Sequence, residues 1–456
     1  MTGPGTAAAL GNAVTALMPQ ARDDLARLVA IRSVADSAGQ PVEQCRQAAE
    51  EVCRLFTDVG LDDVRAVPTS DGSLAVLASH TGPEGAPRVL LYSHYDVQPA
   101  GDPASWGSDP WTLTERDGRW YGRGSADCKG NLVMHLTALR ALQDVDGAWP
   151  VSFTVVCEGS EEMSTGGLSD LVRSQPELFA ADVMVIADTG NVEAGTPTVT
   201  TSLRGTGSVL VTVRTLEGPL HSGSFGGAAP DALAALIQVL STLRDAAGET
   251  TIDGLDHSAR WGGAAYPQEQ FREDGRVLEG VGLLGDGTVA DAVWARPAAT
   301  VLAIDAPPVA GATAAIQPEA RALVNLRVPA GVDAREAQEL LVGHLERAAP
   351  WGARIDVIPQ TLGQPFAART DGPAFAVLRR AMETAFGRTV VTAGQGGAIP
   401  LCTVLAQAHP AAEILLYGVE EPGSRIHAPD ESVDPDELRR TAWAESLLLK
   451  DLGPRL

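Results

Sequence analysis

The sequence has little positive charge and no long apolar segment, and both shortages exclude classes of protein. Lysine and arginine together number 34 against 58 aspartates and glutamates, so the formal net charge is −24. A surface of that sign repels polyanions, so neither nucleic acid nor an anionic membrane is expected as a partner. No segment offers the roughly eighteen charge-free apolar residues of a membrane-spanning helix, since the stretch around Val301 is interrupted by Asp305 and followed by Pro307.

Cysteines are also scarce, and their spacing argues against a disulfide framework. The five are odd in number and include no C-x-x-C pair. This pattern is typical of a reducing compartment, so the cytoplasm is the expected location. The uncharged segment from Thr2 to Ala21 does not resemble an export signal, because no basic residues precede it and glycine, proline and asparagine interrupt its apolar residues.

Motifs of several common enzyme classes are missing from the sequence. There is no G-x-S-x-G of a serine hydrolase, no H-E-x-x-H of a zincin and no P-loop. Gly122-Arg-Gly124 is only a fragment of a dinucleotide-binding fingerprint, since the third glycine is absent. These classes are therefore not expected.

The sequence does contain an alternation of short apolar runs with helical stretches. With 456 residues, of which 45% are apolar, the chain can build two or three domains with substantial cores. The alternation predicts an α/β domain with a mostly parallel sheet and helices on both faces. Runs typical of buried strands are 74–78, 89–92, 151–157, 183–187 and 414–417, and helical periodicity is found at 21–30, 42–56, 131–143, 167–173 and 373–386.

The pattern of predicted helices and strands changes after Arg204. Between residues 207 and 357 the predicted order is strand, helix, two strands, helix and strand, which is typical of a ferredoxin-like α+β unit with an antiparallel sheet. The predicted helix at 373–386 and the strand at 414–417 are expected to belong to the same domain as the segments before residue 204. We therefore expect residues 1–203 and 366–456 to form one domain, and residues 204–365 to form a second domain inserted into it.

Residues with metal-binding side chains follow the predicted strands. The carboxyl ends of parallel strands line the ligand crevice of an open α/β sheet, so these residues are expected to converge. Imidazole and carboxylate groups without an obligatory thiolate suit a catalytic site for Zn²⁺ or Mn²⁺. The residues concerned are His94 and Asp96, Asp127 from a glycine-rich turn, Glu161 and Glu162, Asp188, and His427.

Taken singly, each of these residues has an ordinary structural explanation. An aspartate before a helix is commonly an N-cap, and a histidine in a strand is commonly a core residue. Their shared position at strand ends is what favours a metal site. The adjacent pair Glu161-Glu162 adds to this, because consecutive side chains after a strand point apart, so one can bind metal while the other faces a metal-bound water.

Five parts of the sequence together resemble the dinuclear metallopeptidase family of carnosinases, aminoacylase and succinyl-diaminopimelate desuccinylase. The first part is most similar to the cytosolic dipeptidases, and the resemblance extends from about Asp23 to Leu448. The parts are Tyr92-Ser-His-Tyr-Asp-Val-Gln-Pro99, Tyr121-Gly-Arg-Gly-Ser-Ala-Asp127-Cys-Lys-Gly130, Glu158-Gly-Ser-Glu-Glu162, Asp188 and Arg425-Ile-His427.

The reaction that this resemblance implies is metal-dependent hydrolysis of an amide bond. The substrates would be dipeptides, or short peptides with a free C-terminal carboxylate, and the nucleophile a hydroxide that bridges two metal ions. Zn²⁺ is the expected metal, with Mn²⁺ and Co²⁺ as alternatives. Glu161 corresponds to the general base, and Asp96 to a carboxylate that hydrogen-bonds His94.

The resemblance also implies a division of the metal ligands. Asp127 corresponds to the carboxylate that bridges the two ions. Glu162 and His427 correspond to the ligands that complete one ion, and His94 and Asp188 to those that complete the other.

Substrate binding is implied to depend on the inserted domain, which corresponds to a dimerisation and lid domain. His221 corresponds to a histidine that the partner subunit of a homodimer supplies to the oxyanion. Arg327 corresponds to an arginine that binds the substrate carboxylate. Gly396, Gly397 and Ala398 lie in a glycine-rich loop that resembles the family's carboxylate-binding loop.

Two departures from the family pattern leave the substrate preference open. Cys128 stands where the dipeptidases often have a second aspartate, and Ala398 stands where they usually have serine. We interpret Cys128 as a buried, inert thiol rather than a nucleophile.

Two alternative functions stay beside the dipeptidase hypothesis. One is an N-acyl amino acid deacylase or carbamoyl-amide hydrolase that uses the same metals on a different acyl group. The other is a non-catalytic amino-acid-binding protein, against which the retained general base Glu161 argues, because binding alone has no use for one.

Overall fold

The computed structural model describes residues 2–35, 42–397 and 399–453. The helices are α1 (Pro4–Ala30), α2 (Val42–Asp58), α3 (Lys129–Asp146), α4 (Gly167–Ser174), α5 (Ser222–Phe225), α6 (Ala232–Ser241), α7 (Gln268–Asp274), α8 (Ala334–Arg347), α9 (Pro373–Phe386), α10 (Pro400–Ala408) and α11 (Pro435–Leu452). The strands are β1 (Asp62–Pro68), β2 (Leu74–His80), β3 (Arg88–His94), β4 (Thr114–Arg116), β5 (Arg119–Tyr121), β6 (Ser152–Glu158), β7 (Val183–Ile186), β8 (Thr198–Leu203), β9 (Gly205–Arg214), β10 (Leu220–His221), β11 (Ala298–Asp305), β12 (Ala315–Ile316), β13 (Glu319–Val328), β14 (Arg354–Gly363), β15 (Phe366–Ala367), β16 (Val391–Gln395), β17 (Glu413–Leu416) and β18 (Ser432–Val433).

Contacts divide the chain into two compact units. The first consists of Met1–Thr201, Ala368–Ala393 and Pro400–Leu456. The second consists of Ser202–Ala367 and Gly394–Ile399.

The first unit is built on a twisted sheet in the strand order β1-β2-β6-β3-β7-β17-β8. The four central strands, β6, β3, β7 and β17, pair in parallel. The flanking strands β1, β2 and β8 pair antiparallel. The predicted mostly parallel α/β sheet is confirmed in its centre, where the strands read as continuous apolar runs because they are buried on both faces. The sequence does not predict β1, whose residues are mostly exposed.

The first helix is longer than its predicted extent. Periodicity predicts a helix over 21–30, and α1 begins at Pro4 and passes through Pro19. A side chain at Gly11 would meet the indole of Trp443 in α11, with Cβ only 2.8 Å from Cε2. Gly11 therefore lies where α1 packs closely on α11, and this packing stabilises a segment whose own helix propensity is low. Among the described helices, none combines the length and apolarity needed to cross a membrane.

The second unit has the predicted order of strand, helix, two strands, helix and strand, formed by β9, α6, β11, β13, α8 and β14. The strands form an antiparallel sheet in the order β11-β13-β9-β14. Alternate residues of β9 and β13 are buried with the apolar residues of α6 and α8 in one core cluster. The predicted α+β class of this unit is confirmed.

We expect a Gly190→Ala substitution to destabilise the first unit. Gly190 forms a parallel bridge with Glu420, and a Cβ at this position would overlap the Glu420 carbonyl group, which is backbone and must shift. The cost should be about 1–3 kcal/mol of unfolding free energy, measurable by urea denaturation. Gly5→Ala is the matched control, since nothing lies within 4 Å of its Cβ and alanine is the better helix former. Equal unfolding midpoints for the two variants would contradict this reading.

Candidate metal centre

The carboxyl ends of the parallel strands bring most of the predicted metal ligands to one edge of the sheet. β3 ends at His94, and Asp188 follows β7 by two residues. Glu161 and Glu162 form a short 3₁₀ turn just after β6. Two further groups come from loops, Asp127 two residues before α3 and His427 after β17.

Asp127 lies between two clusters of these side chains. Its Oδ1 is 3.0 Å from Nε2 of His94, which is also 3.2 Å from Oδ1 of Asp188. Its Oδ2 is 2.9 Å from Nε2 of His427, which is also 3.2 Å from Oε2 of Glu162. One carboxylate thus faces both clusters, an arrangement that allows it to bridge two cations. The peptide bond between Asp127 and Cys128 is cis.

The donor set fits divalent metal ions. Two imidazoles and three carboxylates converge, and Oε1 of Glu162 is buried without a hydrogen-bond partner among the described residues. Hydrogen bonds to Asp127, and then to Glu162, raise the pKa of His427 to about 10. The imidazole of His427 therefore lies in a negative field, and a negative field of this kind also attracts a metal cation.

Asp96 supports both the histidine and the acidic turn. Nδ1 of His94 lies 3.0 Å from the carbonyl oxygen of Asp96 and 3.4 Å from its Oδ1. The carboxylate of Asp96 itself accepts hydrogen bonds from the backbone N–H groups of Glu161 and Glu162, at 3.1 and 3.0 Å. The expected carboxylate contact to His94 is thus the longer one, and the carbonyl group makes the shorter one.

The two adjacent glutamates have different surroundings. Glu162 faces His427 and also accepts a hydrogen bond from Nε2 of Gln98 at 2.9 Å. Glu161 is in neither ligand cluster. Burial, and then the charge of Asp188, raise the pKa of Glu161 well above its ordinary value. A buried carboxyl group with a raised pKa beside a candidate metal site is typical of a group that transfers protons.

Glu420 is a further buried carboxylate at this edge, and it is not among the residues predicted from the sequence. One of its oxygens lies within 4.8 Å of oxygens of Asp127 and Asp188, and Oε1 accepts a hydrogen bond from Asn131 at 2.7 Å. The adjacent Glu421 instead pairs with Arg119 at 2.5 Å. The signal available in the sequence is that Glu420 follows a buried parallel strand, as Asp188 does.

Cys128 is held as a neutral thiol. Its Sγ donates a hydrogen bond to the carbonyl oxygen of Ala187 at 3.0 Å and accepts one from the N–H of His94 at 3.5 Å. Complete burial raises the pKa of the thiol. These contacts agree with the interpretation of Cys128 as inert.

The remaining predicted residues lie in the second unit or outside the described residues. His221 is exposed and accepts a hydrogen bond from the N–H of Gly223 at 3.1 Å. Arg327 lies near the end of β13, partly buried. Gly396 and Gly397 belong to the second unit. Ala398 lies outside the described residues.

The second unit contains a pair of neighbouring arginines, Arg327, which is predicted from the sequence, and Arg204, which is not. Burial, and then the nearby charge of Arg327, lower the pKa of Arg204 to about 10. Nε of Arg204 is buried without a hydrogen-bond partner in the described part of the chain, and a Cβ on Gly396 would lie 2.9 Å from its Nη2. Neither guanidinium has an ion-pair partner among the residues described. An unneutralised arginine beside a glycine-rich loop, with a second arginine near it, is suited to an anion.

Comparison with known protein sequences agrees with this chemistry. Residues 90–450 match the model described as Peptidase family M20/M25/M40. A cysteinylglycine-S-conjugate dipeptidase of Corynebacterium striatum is 47% identical over 411 residues, which are 89% of this chain and 90% of that protein. A Beta-Ala-His dipeptidase of Homo sapiens is 26% identical over 429 residues, 87% of this chain and 83% of that protein.

Comparison with solved structures concerns the fold. The structure of human carnosine dipeptidase 1 matches with a TM-score of 0.80 at 21% sequence identity, and the match covers 99% of this chain and 100% of that chain. The predicted combination of an α/β and an α+β domain is therefore a known architecture.

We expect Zn²⁺ or Mn²⁺ to stabilise the metal-stripped protein against thermal unfolding, because a cation removes the repulsion among the buried carboxylates. A metal concentration one hundred times the Kd should add about 2.7 kcal/mol. Glu162→Gln should reduce this gain by about 1.4 kcal/mol for each tenfold loss of affinity. Asp144→Asn removes an exposed carboxylate of α3 and should leave the gain unchanged. A gain that is equal in all three proteins would exclude a metal site at Glu162.

Proposed function

The chain belongs to the M20/M25/M40 family of peptidases, and from this we propose that it is a metal-dependent dipeptidase. The family match confirms the resemblance drawn from the sequence motifs. The observation that carries the proposal is the position of Asp127, whose two oxygens face two separate histidine and carboxylate clusters. The dipeptidase names of the relatives in Corynebacterium striatum and Homo sapiens support a dipeptide as the substrate.

In this proposal the two clusters hold two divalent ions. Asp127 would bind both, Glu162 and His427 would complete one site, and His94 and Asp188 the other. Ions in such a site supply Lewis acidity, which lowers the pKa of water and polarises a carbonyl group. Imidazole and carboxylate ligands favour Zn²⁺, with Mn²⁺ and Co²⁺ as alternatives.

Glu161 would move the proton. As the general base it accepts a proton from the attacking water, and as the general acid it returns that proton to the leaving amine. Its raised pKa supports this role, since the group must hold a proton between the two steps. Asp96 would act as a positioning residue, because it fixes both the imidazole of His94 and the backbone of the turn that carries Glu161.

Arg327 would bind the C-terminal carboxylate of the dipeptide. The proximity of Arg204 supports this assignment and adds a second guanidinium to the same region of the second unit. Gly396, Gly397 and Ala398 would contribute their loop, whose lack of bulky side chains lets backbone N–H groups approach an anion. A substrate with a free carboxylate is thereby distinguished from one without it.

His221 would stabilise the oxyanion in the active site of a partner subunit. The exposure of His221 supports this role, because a histidine that acts on another subunit must be accessible. β11 is an edge strand with exposed apolar side chains at Val301, Leu302 and Ile304, which supports a homodimer formed through this unit. In this proposal residues 1–203 and 366–456 are the catalytic domain and residues 204–365 the dimerisation and lid domain.

A cytoplasmic location is part of the same proposal. All five cysteines are free thiols, and Cys128, Cys157 and Cys402 are buried. Free thiols are typical of a reducing compartment.

We expect the metal-loaded protein to hydrolyse dipeptides, and Glu161→Gln to lower kcat by about 10²–10⁴-fold while the bound metal is retained. Amine release should be measured on matched dipeptides and N-acyl amino acids, before and after metal is removed by chelation. Asp144→Asn should hydrolyse at the wild-type rate.

The same panel separates the alternatives. Metal-dependent release from N-acyl amino acids alone would make the protein an acylase and would overturn the dipeptidase proposal. Metal binding without hydrolysis of either class would favour the non-catalytic alternative.

Mixed dimers test the role of His221. We expect His221→Ala and Glu161→Gln homodimers each to be inactive. When the two chains are co-expressed, heterodimers should contain one complete site, so activity should recover to about a quarter of the wild-type value. If His221 acts within its own chain, no subunit of the heterodimer has both groups, and the mixture stays inactive.

A further inference from the structure

Glu431 is a buried carboxylate that lies directly behind the loop that carries Asp127. Glu431 is 0% exposed to solvent. Oε1 accepts hydrogen bonds from the backbone N–H groups of Ala126 and Asp127, both at 3.1 Å, and Oε2 accepts one from the N–H of Gly124 at 2.9 Å. The Glu431 carboxylate thus accepts three backbone hydrogen bonds from the turn that ends at Asp127.

Arg123 completes these contacts and links them to the loop of His427. Its Nη1 donates to Oε2 of Glu431 at 2.6 Å, and the arginine is 1% exposed. Its Nη2 donates to the carbonyl oxygen of Ala428, the residue after His427, at 3.3 Å. Glu431 and Arg123 therefore connect the two loops whose side chains, Asp127 and His427, meet at 2.9 Å.

The loop that carries His427 contains residues in a backbone conformation that contacts with the surrounding protein must maintain. Arg425, His427 and Asp430 have φ angles of 54°, 61° and 61°, in the left-handed region that non-glycine residues rarely adopt. Such residues persist where surrounding contacts enforce them. Besides the contacts of Glu431, Asp430 accepts hydrogen bonds from Arg116 at 2.7 Å and from the N–H of Gly107 at 2.9 Å.

We propose that Glu431 is a positioning residue that fixes Asp127 relative to His427 and thereby sets the affinity of the site for metal. The inference rests on the proposed metallohydrolase function. A glutamine at this position would replace one acceptor oxygen by an NH₂ group that faces N–H donors. The turn would have to move away from that group, and Asp127 would move with it.

The test is metal affinity rather than activity alone. Metal-stripped wild type, Glu431→Gln and Asp24→Asn are titrated with Mn²⁺ and Zn²⁺ in competition with a chromophoric chelator. We expect Glu431→Gln to raise the Kd by about 10–100-fold. Asp24→Asn breaks a comparable buried pair, in which Arg140 donates to a carboxylate that is 1% exposed, at 2.5 Å. Asp24 contacts none of the proposed ligands in the described structure, so its variant should lose stability and keep the wild-type Kd.

A second variant keeps the inference falsifiable if Glu431→Gln does not fold. Glu431→Asp retains the charge but is shorter by one methylene, so its Kd should lie between those of wild type and Glu431→Gln. A wild-type Kd in Glu431→Asp, or in a folded Glu431→Gln, would contradict the proposal. It would show that Glu431 serves only as the structural ion-pair partner of Arg123. Because these titrations need no substrate, a wild type that binds metal but cleaves no dipeptide would refute the proposed function and leave the result on Glu431 standing.

Discussion

Several carboxylates are buried side by side at one edge of the central sheet, and the rest of the first unit is arranged around that constraint. Asp127 and Asp188 lie close to the buried Glu420, with the acidic turn of Glu161 and Glu162 beside them. An ionised carboxylate taken out of water is costly unless it is paired, hydrogen-bonded or bound to a cation. The buried imidazole of His94 offsets part of that cost within the protein. The remainder is the cost that bound cations would remove, and burial, followed by the charge of Asp188, raises the pKa of Glu161 well above its ordinary value.

Neighbouring acidic residues at this edge of the sheet have different surroundings. Glu161 and Glu162 are adjacent, yet only Glu162 faces a histidine of a ligand cluster. Glu420 and Glu421 repeat the arrangement after another parallel strand, with Glu420 at the cluster and Glu421 on Arg119. Glu161 and Glu162 lie in a 3₁₀ turn rather than in extended backbone, so the geometry of that turn, and not the alternation of a strand, places them.

Much of the fold and of the candidate metal site can be predicted from the sequence because the signals are local. Buried parallel strands are continuous apolar runs, and helices have their own period. The candidate ligands His94, Asp188 and Glu162 each lie at the end of such a run or within a few residues of it. The order of strands and helices in the second unit can be predicted from the same local patterns. The edge strand β1 is harder to predict, since its mostly exposed residues form no apolar run. β2 does have an apolar run, but its antiparallel pairing is not a local property of the sequence.

The residue types available at the strand ends follow from the sequence alone, and its motifs are sufficient to identify the family. Three features depend on packing: Asp127 faces both clusters, Arg204 lies near Arg327, and Glu431 accepts hydrogen bonds from the Asp127 turn across 304 residues of chain. Hydrogen bonds and burial depend on distances in space, so packing can bring together residues whose separation along the chain contains no periodic or local signal.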